Sequence, residues 1–147
     1  MKDKESRILH DKGPTVSLFE NCCSREPIGK AKLGTWLLTD KYKGIVEEYR
    51  NALTVDRPRL KRNMPCITPS GEFSYGNEQS LIQHSRMVCV DIDDGNCIRM
   101  RKAIDWEKTT HLMGECFPIL YYAGLSVGGN GMFLIFHIND PEQHDEQ

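Results

Sequence analysis

"MVCVDIDDG", residues Met87 to Gly95, is built like a buried β-strand yet ends in three carboxylates. Side chains alternate across a strand, so residues two apart share a face. Val88, Val90 and Ile92 form one apolar face, which is expected to meet helices, and Met87, Cys89, Asp91 and Asp93 face away from them. Asp91 and Asp93 stand roughly 7 Å apart at Cα, from a rise of about 3.4 Å per residue. Two carboxylates so placed can converge on one cation or bracket two that lie about 3.5–4 Å apart, the arrangement used in in-line phosphoryl chemistry. Hard oxygen donors suit Mg²⁺ or Mn²⁺ rather than zinc, and the repulsion between two like charges is a reason to expect an ion. The other reading is that the strand simply ends here and the aspartates are solvated. Asp94 belongs to the turn in either case, since Asp-Gly is a turn dipeptide.

Downstream lie two apolar strand candidates, "FPILYYAGLS" (Phe117 to Ser126) and "GMFLIFHI" (Gly131 to Ile138), rich in β-forming residues. The short "VGGN" between them makes the pair a hairpin. Three glycines in "SVGGNG", at Gly128, Gly129 and Gly131, let backbone amides approach a ligand, so Ser126, Asn130 and these glycines can cradle a phosphate or can simply make the turn. Phe133, Ile135 and His137 share one face of the second strand, which puts His137 toward the surface of the aspartates, or leaves it as a structural histidine.

Upstream, "TVSLF" (Thr15 to Phe19) reads as a first strand, and "NCCSREPIGKAKLG" after it reads as loop. Lys41 to Leu53 carries Ile45, Val46, Tyr49 and Leu53 at helical spacing, with Thr39 or Asp40 as cap and the apolar residues in the core. "RPRLKRN" (Arg57 to Asn63) packs four cations into seven residues. It is either a solvated loop or a contact to a phosphate backbone through Arg57, Arg59, Lys61 and Arg62. Thr68-Pro69-Ser70-Gly71 fits a type I turn, and Asn96 to Trp106 reads as a helix. Strand, helix, strand, helix and a hairpin give an α+β fold: a mainly antiparallel sheet with helices over one face.

Composition agrees with one soluble domain. The 147 residues are 39% hydrophobic and 27% charged, with a formal net charge of -2, so no global basic field marks a nucleic-acid binder. Six cysteines show no CxxC pair and no zinc rhythm with the five histidines. The polar start and the lack of any apolar run near 20 residues argue for a cytoplasmic protein with free thiols. Cys89 and Cys116, in apolar contexts, are expected to be small core residues.

From Lys61 to Asp94, "KRNMPCITPSGEFSYGNEQSLIQHSRMVCVDIDD" resembles the VirE N-terminal domain family of mobile-element and phage-type replication proteins, with Arg86 where that family often has glycine. "VSLF" and "TWLLTDKYKGIVEEYR" extend the likeness over nearly the whole chain. The resemblance implies the N-terminal part of a longer protein, one that continues into a P-loop helicase-like domain. The DxD strand with its glycine hairpin is in turn similar to the palm of archaeo-eukaryotic primases and primase-polymerases. That likeness implies metal on Asp91 and Asp93, nucleotide triphosphate at Ser126 to Gly131, Phe133 and His137, and DNA as partner. The chain departs from the pattern twice: Phe133 stands where a basic residue is expected, and Asp140 follows the hairpin too closely to be the further acidic ligand. A module that binds nucleic acid or a helicase without chemistry is the alternative, with Phe133 stacking on a base. A phosphatase of the haloacid-dehalogenase kind fits less well, because "DIDDGN" lacks its glycine and threonine positions.

Overall fold

The computed structural model describes residues 13–93 and 104–139. In chain order these form β1 (Thr15–Phe19), β2 (Gly29–Lys32), α1 (Leu33–Leu38), α2 (Lys43–Asn51), α3 (Arg57–Arg62), β3 (Cys66–Ile67) and β4 (Gly71–Phe73). A 3₁₀ turn (Glu78–Ser80), β5 (Leu81–His84), β6 (Met87–Asp93), α4 (Trp106–Cys116), β7 (Leu120–Leu125) and β8 (Gly131–His137) follow. The class is α+β and all strand pairing is antiparallel, but the strands fall into three sheets, ordered β2-β1-β3, β4-β5 and β6-β8-β7.

The near-continuous apolar run of β8 follows from its central place in the third sheet, since a strand covered on both faces has no need to alternate. On one face Met132 and Leu134 pack with Leu120 and with Trp106 of α4, and Ile92 joins them from β6. On the other face Ile135 is fully buried with Val16 of β1, Leu33 of α1 and Met87 of β6. Helix α4 is secured at its start by Asp105, whose carboxylate accepts from the Lys108 N–H at 3.0 Å. Of the β6 side expected to meet helix, only Ile92 packs on the cluster that holds Trp106, and Val90 is 41% exposed; the other side is covered only at the Met87 end.

Between the sheets, Ser17 spends its buried hydroxyl on the backbone of Phe73, accepting from its N–H at 2.8 Å and donating to its carbonyl at 3.2 Å. The expected turn at Thr68 to Gly71 closes through the Gly71 N–H on the Thr68 carbonyl at 3.1 Å. It is tied to the bend before β6 by Ser85, whose N–H donates to Ser70 and whose hydroxyl donates to Pro69.

Several expectations are corrected. The segment after β1 holds β2 and the first two residues of α1; its polar sequence concealed an edge strand, exposed except at Ala31. Helix α2 buries none of its residues: Ile45 is 39% exposed and Leu53, beyond its end, 73%. Neither Thr39 nor Asp40 caps it by side chain. The basic run is the helix α3, because a proline in the first turn lacks only an N–H that would have no helical partner there. Cys89 and Cys116 are exposed, since β6 is an edge strand and Cys116 ends α4. The helix expected over Asn96 to Trp106 lies mostly outside the described residues, and the described one begins at Trp106.

Candidate functional site

The register of β6 against β8 decides what stands beside the aspartates. Asp93 is opposite Gly131, Asp91 opposite Phe133, Cys89 opposite Ile135 and Met87 opposite His137. The strand emerges from beneath the first core at Met87 and opens to solvent at Cys89, Asp91 and Asp93, so both carboxylates are exposed on one face and next to the base of the glycine hairpin. Gly131 is required there: a Cβ would lie 2.6 Å from the Ile92 carbonyl oxygen and 3.2 Å from Asp93 Cα. Among the described residues no lysine or arginine forms an ion pair with Asp91.

The hairpin is a tight turn. The Ser126 N–H donates to Gly131 and the Gly129 N–H to Ser126, both at 2.9 Å, with Gly129 at φ 76° in the left-handed region that glycine adopts freely. Arg50 of α2 holds it from outside, donating from Nε to the Val127 carbonyl at 2.9 Å and from a terminal nitrogen to the Ser126 carbonyl at 3.3 Å. With those carbonyls tied back, the N–H groups of Val127, Gly128 and Asn130 have no partner among the described residues. Successive free amides on a turn make a concavity for an anion.

The basic cluster divides by role. Arg57 is structural: its guanidinium lies over the Tyr49 ring and donates to the carbonyls of Ala52 at 3.2 Å and Arg50 at 3.1 Å, closing the end of α2. Arg59 is exposed and lies 3.8 Å from Asp56. Lys61 and Arg62 line a cleft of about 390 Å³ that Val127 of the hairpin also lines.

Two candidates stand apart. His137 shares the face of Asp91 but sits at the far end of β8, about 20 Å from Gly131 at some 3.3 Å per residue, with buried Ile135 between. Phe133 stacks on Tyr122 at 5.7 Å and packs against the first core, where its ring occupies the space over Gly124. The ring is half-buried there as a wall of the fold. Cys89 is exposed as a residue, but its thiol is partly shielded from water, which pushes it up, and the charge of Asp91 adds to this. That of Cys66 is pushed up by burial and then by Cys22.

As a cation site the donor set is two hard carboxylates. No group of three or more His, Cys, Asp or Glu placed to hold a metal occurs among the described residues, and Asp140 lies outside them. Two carboxylates fit Mg²⁺ or Mn²⁺ when waters and substrate phosphates complete the shell. Sequence reasoning missed Arg50 and the cleft; both depend on contacts between residues far apart in the chain.

Comparison with protein-family models matches residues 59–147 to the BT4734-like, N-terminal domain. That is more than half of the chain, and the chain belongs to this family. It is a different family from the VirE N-terminal domain, so that resemblance is corrected, and no relative or structural neighbour supports the primase-polymerase likeness drawn with it. No curated protein and no solved structure matches. The matched span contains Lys61, Arg62, both aspartates and the hairpin, and excludes Arg50. No helix among the described residues is long and apolar enough to cross a membrane.

Proposed function

We propose that this member of the BT4734-like N-terminal domain family binds a nucleoside triphosphate together with Mg²⁺ or Mn²⁺, as a metal-dependent nucleotidyl-transfer domain acting on DNA. The observation that carries this reading is the register: it sets Asp93 beside Gly131, and so brings two exposed carboxylates to the base of a hairpin in which three amides make no hydrogen bond among the described residues. Asp91 and Asp93 would hold the cation, which when bound neutralises phosphate oxygens and the charge that develops on them. The amides of Val127, Gly128 and Asn130 would receive a phosphate, and Arg50 keeps them pointed. Lys61 and Arg62 add positive charge beside the same loop.

Calorimetric titration of Mn²⁺ with ATP into the wild type and into Asp91→Asn/Asp93→Asn tests this. Saturable heat in the wild type that the double variant lacks is the expected result. Equal heats in both remove the metal site.

A second reading is favoured by the short acidic set: a module that binds single-stranded DNA without chemistry, through Arg59, Lys61 and Arg62. Such binding would weaken with salt, with a slope of about -0.7 per phosphate contact for single strands. Salt-dependent affinity that survives loss of both aspartates would select this reading over the first.

A further inference from the structure

We propose that the cleft between α3 and the glycine hairpin receives the base of the bound nucleotide. This rests on the nucleotide reading above and extends it to a second subsite. The walls are the apolar faces of Pro58, Met64, Pro65 and Val127, with the stems of Lys61 and Arg62 completing them. Cys22 and Cys66 close the side toward the first sheet. The volume of about 390 Å³ falls at the small end of the range of roughly 300–1,000 Å³ usual for small-molecule sites.

Three features select a base-bearing anion over other occupants. Flat apolar walls take a planar ring by stacking, which every base offers. Two cations whose stems bury along the wall while their heads stay in water call for negative charge at the mouth. Val127 belongs both to the cleft and to the hairpin, so an occupant leaving the cleft meets the free amides and then the Asp93 end of β6. No side-chain carboxylate, amide or hydroxyl lines the cleft, so nothing there reads a particular base edge. The subsite therefore holds purines in general and prefers them to pyrimidines by stacking area.

Titration of the full chain with ATP, GTP, UTP and inorganic tripolyphosphate, each with Mg²⁺, separates the cleft from the phosphate site. ATP and GTP should bind alike and about tenfold more tightly than tripolyphosphate, with UTP between. Cys22→Tyr, an exposed position whose new ring fills the cleft, should bring ATP down to the level of tripolyphosphate and leave tripolyphosphate unchanged. ATP, but not tripolyphosphate, should slow alkylation of Cys22 by iodoacetamide. Cys116, beyond the opposite face of the β6-β8-β7 sheet, should be unaffected. Equal affinity of wild type for ATP and tripolyphosphate overturns the base subsite and leaves the metal-phosphate reading standing. No binding by any of these ligands overturns both. Protection of Cys22 by an oligothymidylate and not by ATP assigns the cleft to nucleic acid and overturns the proposal.

Discussion

Arg50 reaches across 77 residues of sequence to donate a hydrogen bond from Nε to the Val127 carbonyl at 2.9 Å, and a second to Ser126 at 3.3 Å. Its own carbonyl accepts in turn from Arg57. A helix that buries none of its residues is thus joined to the candidate site by one guanidinium. The geometry of the hairpin depends on that link as well as on its glycines.

Replacing Arg50 with alanine should therefore uncouple α2 from the hairpin. Two hydrogen bonds from an exposed charged donor are worth about 1 kcal/mol in net stability, which a urea melt will show. Binding of Mn²⁺ with ATP should weaken more than stability does, because the amides lose their fixed direction. Arg50→Lys supplies the charge without the planar fork, and should recover little of the binding. Full binding by Arg50→Ala would mean that the glycines alone shape the loop.

The glycines of the hairpin should differ sharply when each is replaced by alanine. At Gly131 a methyl group meets the Ile92 carbonyl and the Asp93 backbone, so β6 must shift from β8, at a cost of about 1–3 kcal/mol. The displaced end is the one that bears the aspartates, and cation binding should fall with it. At Gly128 the nearest atom is Tyr49 Cε1 at 3.7 Å, an ordinary contact. Gly128→Ala should change stability by no more than about 0.5 kcal/mol. Parallel thermal melts of the two variants read the contrast.

Arg86 has φ 62°, the left-handed region that a side chain enters at a cost of roughly 1–2 kcal/mol. The bend is held by its neighbours: the Arg86 N–H donates to His84 Nδ1 at 2.8 Å, and its carbonyl accepts from Ile138 at 2.9 Å. Since these are backbone bonds, Arg86→Gly retains them while relieving the strain. It should raise stability by about 0.5–1 kcal/mol after the greater freedom of glycine in the unfolded chain is deducted. A lower urea midpoint for this variant would show that the arginine side chain contributes more than its backbone costs.

Strands whose residues face a core could be read directly. The bounds of β1, the hairpin and the two faces of β6 all follow from side-chain alternation, which is local and needs no knowledge of the rest of the chain. Elements on the surface resisted the same reasoning. Strand β2 is "GKAK", an exposed edge with one apolar residue, and α2 carries helical spacing that covers no core. In α4 the only buried residue is Trp106, so the periodic signal is weak. At the site, the aspartates and glycines were legible because a strand end and a turn announce themselves within a few residues. Arg50 and the cleft were not, since they join residues 22, 50, 58–66 and 127, which no periodicity relates. Phe133 and His137 were assigned to one face of β8, but position along the strand separates His137 from the hairpin, and Phe133, opposite Asp91, packs on Tyr122 and the first core, a contact between strands that no local pattern gives.

Two thiols give the protein a predictable response to alkali. Partial desolvation of an otherwise exposed residue, and then Asp91, raises the Cys89 thiol above the ordinary value of 9.0. Burial, and then Cys22, raises Cys66 above the same value. As pH climbs past that value, the unfolded chain loses these protons before the folded one does. The stability they contribute is thus complete below about pH 9 and is lost as pH rises through the folded values. Urea melts from about pH 8 to about pH 10.5 should show a decline that Cys66→Ser and Cys89→Ser each reduce. In Asp91→Asn the Cys89 share should shrink, because one of its two causes is gone.

The aspartate pair itself should cost stability when no ion is present. Two exposed carboxylates about 7 Å apart repel by roughly 0.5 kcal/mol in water, and removing one charge does not strand a partner, since Asp91 has no ion pair among the described residues. Asp91→Asn should therefore melt at or slightly above the wild type in the presence of a chelator. Mn²⁺ should reverse the order: at ten times its dissociation constant, a ligand bound only by the folded state adds about 1.4 kcal/mol. That corresponds to a rise in Tm of roughly 4–5 °C for a chain of this size, seen in the wild type and absent from Asp91→Asn. A structural role for the carboxylates predicts the opposite pattern, with the variant less stable in chelator and Mn²⁺ without effect on either protein. The crossing of the two melting curves on adding the ion is thus the signature of a cation held between these side chains, and it needs neither nucleotide nor catalysis to be read.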